Sequence, residues 1–135
     1  MDAVLATHSE TCAFAMRDVE LFAGARGGMC NLQLISTLFS ASTRFTFDYP
    51  SLPDFIQHLA ALEQRLEGEA RLGQQFEEPF VLFRGDGLGH ITVSGVLVDY
   101  GDQSQRLEFE FTTDQTALGP FIQTLRDVIA AHAAA

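Results

Sequence analysis

Lysine is missing from this chain altogether: its eight basic residues are all arginine, set against 18 Asp and Glu, for a formal net charge of −10. So little positive charge excludes nucleic-acid phosphates and anionic membrane surfaces as natural partners, because both would be repelled. Only two cysteines occur, Cys12 and Cys30, too few for a disulfide framework. In a reducing compartment both are expected to be free thiols, buried as such cysteines usually are. No stretch approaches the roughly 20 apolar residues of a membrane-spanning helix. The opening M-D-A-V-L-A-T-H-S-E has no positive charge ahead of its short apolar run. No secretory signal is expected, and the expected location is the cytoplasm.

Signatures of chemistry are equally scarce. His8, His58, His90 and His132 are scattered and fall in no H-x-x-x-H or H-x-x-E frame. His8 and Cys12 have the spacing of two ligands on a helix turn, but no second pair completes a zinc site. Gly85-Asp86-Gly87-Leu88-Gly89 lacks the Lys-Ser/Thr of a phosphate-binding loop and leads into a strand rather than a helix, so a hairpin turn accounts for its glycines. Ser94-Gly95 is not part of a Gly-x-Ser-x-Gly elbow. Carboxylates pair at Glu77-Glu78 and at Glu108 with Glu110, the latter about 7 Å apart on one strand face, a spacing that a plain solvent face also has. No catalytic residue, cofactor site or metal ligand is therefore assigned.

What the chain does have is apolar mass, and it has it in two similar spellings. At 135 residues with 47% hydrophobic content and 12 Phe, it is expected to form one packed domain spanning residues 1–135. Arg44 to Leu59 reads R-F-T-F-D-Y-P-S-L-P-D-F-I-Q-H-L; Arg106 to Leu125 reads R-L-E-F-E-F-T-T-D-Q-T-A-L-G-P-F-I-Q-T-L. Each is a strand with Phe at alternate positions that runs through a cap-rich turn into a helix opening Phe-Ile-Gln-x-Leu. Two strand-strand-strand-helix halves, about 17–67 and 79–132, are expected around these joints.

In the first half, alternation predicts strands over 17–23, 31–39 and 44–49, with a turn at Ser40–Ser42 and Phe45, Phe47 and Tyr49 facing inward. Ser51 is the expected N-cap of a helix with Pro53 in its first turn and an apolar stripe of Phe55, Leu59, Leu62 and Leu66. Residues 68–75, with Gly68, Gly73 and mixed charges, read as a linker between halves. The second half predicts strands over 80–84, from Ile91 to Val98 with a bulge at Gly95, and from Arg106 to Thr112, where Leu107, Phe109 and Phe111 face inward. A final helix, its regular part beginning near Gly119, buries Phe121, Leu125, Val128 and Ile129. The expected fold is α+β: a two-layer sandwich of one mostly antiparallel sheet of about six strands, with two helices on one face and an internal β-β-β-α pseudo-repeat.

The outward residues of the second half form an acidic rim: Asp86, Asp99, Asp102, Glu108 and Glu110. These are the expected partner-binding residues, and a basic protein is the partner their charge suits. A solvated face that serves only solubility would look the same. Two other classes fit the composition: a secretion-chaperone-like acidic homodimer with a groove for an extended peptide, and a small-ligand-binding or enzymatic domain with a pocket between sheet and helices.

Gly89-His90-Ile91-Thr92-Val93-Ser94-Gly95, Leu107-Glu108-Phe109-Glu110-Phe111-Thr112-Thr113-Asp114-Gln115-Thr116-Ala117-Leu118 and Phe121-Ile122 resemble the WapI-type immunity proteins and related small bacterial domains of unknown function. The resemblance is best over residues 83–125. It implies a small non-enzymatic bacterial protein that binds a secreted toxin and blocks it, and many toxins of this kind are basic. The shared letters are those that folding demands, so no binding residue is carried over from the family.

Overall fold

The computed structural model describes residues 1–5, 7, 13–24, 27–74 and 77–134. His8 and Cys12 lie outside the described residues, as does the end of the stretch 68–75. The order of elements is β1 (Ala3–Leu5), β2 (Ala13–Leu21), β3 (Gly28–Ile35), β4 (Ser40–Phe47), α1 (Leu52–Arg65), β5 (Glu67–Gln74), β6 (Glu77–Asp86), β7 (His90–Asp99), β8 (Gln105–Asp114), a short 3-10 turn (Gln115–Ala117) and α2 (Leu118–Ala134).

The class is α+β, but the single sheet of about six strands is corrected to two antiparallel sheets of four, β1-β2-β3-β4 and β5-β6-β7-β8. Likewise each helix follows four strands rather than three. Two strands account for the difference. β1 hides in the polar start because only Ala3 and Leu5 of its three residues turn inward. β5 occupies the expected linker: Glu67, Glu69 and two glycines spell a loop, yet Ala70 and Leu72 are buried and pair with Phe83 and Val81. Gly73 sits where an added Cβ would lie 2.5 Å from the Pro79 carbonyl, and it bridges to Tyr49, joining the two sheets.

Local phases were partly displaced as well. In β2 the inward positions are Phe14 and Met16, then Val19, because Asp18 takes a left-handed backbone (φ 52) and the register to β3 shifts between Arg17 and Glu20. The Asp2 carboxylate holds that bulge, accepting from the Asp18 amide at 2.8 Å and pairing with Arg17 at 3.2 Å. The expected bulge at Gly95 is absent, since β7 keeps an unbroken register to β8 from His90 to Asp99. Gly95 is instead a close-approach position, where a Cβ would lie 2.3 Å from the Phe80 carbonyl and 3.0 Å from the Phe109 ring. Ser40–Ser42 belong to β4, and the chain turns earlier, where the Ser36 amide donates to the Phe39 carbonyl at 2.8 Å. Accordingly β3 ends at Ile35, and Tyr49 is exposed rather than inward.

The helices follow the expected reasons. The Ser51 hydroxyl accepts from the Asp54 amide (3.4 Å), and Leu52, Phe55, Ile56, Leu59 and Leu62 form the buried stripe of α1. Leu66 leaves that stripe to end the helix at φ 66, donating to the Leu62 carbonyl. Ahead of α2, the Asp114 carboxylate caps the 3-10 turn by accepting from the Thr116 amide and hydroxyl. The helices pack on each other, α1 also along β5 and α2 along β1. At the centre, Phe14 of β2, Phe83 of β6 and Phe121 of α2 meet pairwise at 5.8–6.1 Å, with Phe55 of α1 at 5.9 Å from Phe83. One continuous cluster of buried side chains therefore draws on both sheets and both helices. Among the described residues no helix is long and apolar enough to cross a membrane.

Candidate functional site

Strand alternation in the second sheet sends Val81 and Phe83, Ile91 and Val93, and Phe109 into the core. The same alternation sends the even-numbered residues of β6, β7 and β8 to the outer face. Register there sets Phe80 beside Val96 and Val96 beside Glu108, while Leu82 lies beside Ser94 and Ser94 beside Glu110. Phe80, Ser94, Val96, Glu108 and Glu110 line a shallow depression of about 440 Å³. Next to it, Arg71, Glu77, Glu78, Phe80 and Tyr100 line a second, of about 700 Å³, sharing Phe80 as its wall. Tyr100 stands out of the β7–β8 turn and is 75% exposed.

The charges on this face are organised around arginines. Arg106 grips Glu78 with two guanidinium nitrogens, Nη2 to Oε1 at 2.6 Å and Nε to Oε2 at 2.9 Å, and reaches Glu108 with Nη1 at 2.8 Å. The Arg106 hydrogen bonds hold the Glu78 carboxyl below its ordinary range and raise the guanidinium further above its own. Arg71 lies over the Phe80 ring, 4.7 Å from its centre, and donates to the Glu77 carbonyl at 3.2 Å. Glu110, by contrast, has no ion-pair partner among the described residues.

Of the five expected partner-binding residues, Glu108 and Glu110 are exposed on this outer face, while Asp99 and Asp102 are exposed at the β7–β8 turn beside Tyr100. The Asp99 carboxylate accepts from the Gly101 amide at 2.9 Å. Asp86 is not with them. It opens the β6–β7 turn at the other end of β7, the length of a ten-residue strand away, about 30 Å at strand rise. There it accepts from the Leu88 and His90 amides at 2.7 and 3.2 Å and meets His90 Nδ1 at 2.8 Å. The Leu88 amide, then the His90 side chain, hold its carboxyl below the ordinary range. That is the work of a turn staple.

Phe80, Tyr100, Arg71, Glu78 and Arg106 line or organise this face and were not among the expected partner-binding residues. Phe80 could have been read outward, because it is out of phase with Val81 and Phe83 on either side of Leu82. Its place in an unbroken apolar run disguised it. Cys30 is buried, and desolvation raises its thiol to about 12, which leaves it unreactive at neutral pH. Among the described residues, no three His, Cys, Asp or Glu side chains come together as a metal centre. The arrangement suits recognition of another surface: apolar and aromatic groups in the middle, carboxylates and arginines around them.

The immunity protein WapI-like family matches residues 29–133. Neither a curated protein nor a solved structure matches the chain.

Proposed function

We propose a function from one premise: the chain belongs to the immunity protein WapI-like family. It is a non-enzymatic bacterial protein that binds a toxin partner in the cytoplasm and blocks it by occupying the surface the toxin needs. The partner is basic, and the docking surface is the outer face of the second sheet. The observation that carries this reading is the exposed Tyr100 beside half-buried Phe80, edged by Asp99, Asp102, Glu108 and Glu110.

Aromatic side chains are the usual anchors of protein interfaces, and a carboxylate rim supplies specificity and speed of encounter more than raw affinity. The net charge of −10 extends that steering to the whole molecule. Asp86 falls outside the surface. No step of bond making is required, because occlusion alone neutralises a toxin.

Co-expression with the proteins encoded beside its gene tests the reading. One of them, secreted and basic, should be toxic alone, harmless together with this chain, and recovered with it as a stable complex. A chain that protects against none of its neighbours and binds no basic protein would end the proposal.

A further inference from the structure

We propose that the free edge of β8 takes up an extended segment of the toxin partner as a fifth strand, and that this segment alternates basic with apolar residues. The inference rests on the immunity reading and adds how the partner is held.

Alternate residues of any edge strand direct their N–H and C=O groups away from the sheet, which makes a template for another chain unless the edge is short, bulged or covered. Two other edges of this fold meet those conditions, and a third meets them at its end. β1 has three residues and lies against α2; β5 lies along α1. The end of β4 is closed by the Gln74 side chain, which donates to the Thr46 carbonyl at 2.9 Å, and by the Asp48 amide, which donates to Gly73 at 3.0 Å. Among the described residues β8 meets none of them: it is the last strand in its sheet, ten residues long, with an unbroken register to β7.

Its side chains describe what would lie beside it. On the inner side Phe109 is buried, whereas Leu107 and Phe111 are only partly covered, so apolar residues of an added strand would complete the core there. The Gln105–Leu107 end opens into a cleft of about 630 Å³ whose opposite wall includes Phe39, Ala41 and Thr43 of the first half, with room for one more apolar side chain. On the outer side Glu108 and Glu110 stand where residues of opposite charge directly across would be stabilised. A second copy of this chain fits poorly. The two antiparallel registers that pair β8 over most of its length place Glu108 against Glu110 or Glu110 against itself, between bodies of net charge −10.

The test uses the full chain and an end-blocked peptide of about ten residues alternating valine and arginine, long enough to match the strand. Two further peptides are compared: one of the same composition with its arginines grouped at one end, and one with alternate backbone amides methylated. The alternating peptide should bind one to one and slow amide exchange in β8. Grouping, methylation, or the change Glu108→Lys with Glu110→Lys should weaken binding about tenfold or more. Should the double variant fail to fold, Glu110→Gln keeps the same direction with a smaller loss. Equal binding of all three peptides, no binding, unchanged exchange in β8, or a β8-mediated dimer in light scattering would overturn the proposal. Repeating the exchange measurement with the toxin separates the two claims. A bound toxin that leaves β8 unprotected removes the added strand but not the immunity reading, whereas failure of any neighbour-encoded toxin to bind removes that reading.

Discussion

β4 and β8 hold matching places, each the last strand of a four-stranded sheet and each leading into a helix, yet their surroundings differ. Inward, both present pairs of phenylalanine, Phe45 with Phe47 and Phe109 with Phe111, stacked at 6.1 and 6.3 Å. Outward, the first strand and its end carry Arg44, Thr46 and Asp48, while the second carries Arg106, Glu108 and Glu110. β4 is tied at its end to β5 through the Tyr49–Gly73 bridge, while among the described residues β8 has a strand neighbour on one side only. The inward half of each strand answers to a core the two sheets share, and so the two agree. The outward half is free to diverge, and it diverges toward acid on the strand whose edge is open.

The largest way to break the comparison is to remove the shared core. Phe83→Ala should cost about 3–5 kcal/mol, because Phe83 touches Phe14 of the first sheet, Phe55 and Phe121. Thermal or urea unfolding should shift as one transition. If the first sheet kept its own transition while the second melted, the halves would be independent bodies. Within β8, buried Phe109 should cost more than half-buried Phe111 on the same substitution.

Gly95→Ala sharpens it next, with an expected loss of about 1–3 kcal/mol from overpacking. A methyl there would press first on the Phe80 carbonyl and the Phe109 ring. Unchanged stability would mean that the packing around Gly95 and Phe109 is looser than its geometry.

A smaller effect is expected in acid. Asp2, Glu78 and Asp86 all titrate below their ordinary ranges in the folded chain, held down chiefly by the Asp18 amide, Arg106 and the Leu88 amide respectively. Carboxyls lowered on folding add stability that is present above their unfolded values and lost as pH falls through the folded ones. The melting midpoint should therefore decline below about pH 4. A Glu78→Gln, Asp86→Asn variant should decline less steeply; an identical slope would assign the acid sensitivity elsewhere.

Much of the fold was legible where physics is local. The Ser51 cap, the stripe from Phe55 to Leu62, the start of α2 near Gly119 and the co-facial Glu108 and Glu110 all follow from period and capping chemistry. β5 was not legible, because only Ala70 and Leu72 carry its inward face among glycines and charges. Nor was the division into two sheets, since pairing of β4 with β3 but not with β7 is decided by contacts remote in sequence. The same limit scattered the acidic rim. Asp86 and Asp99 look alike as turn residues after strands, and only the strand between them reveals that they occupy opposite ends.

The central claim is that the acidic outer side of β8, and not its counterpart on β4, meets the partner. The direct measurement is the affinity of the neighbour-encoded toxin for two full-length variants, Glu108→Lys with Glu110→Lys and Thr46→Lys with Asp48→Lys. The first should bind about tenfold or more weakly, with its circular dichroism unchanged, and the second within about twofold of the parent. Equal losses in both variants, or a loss confined to the β4 pair, would contradict the account.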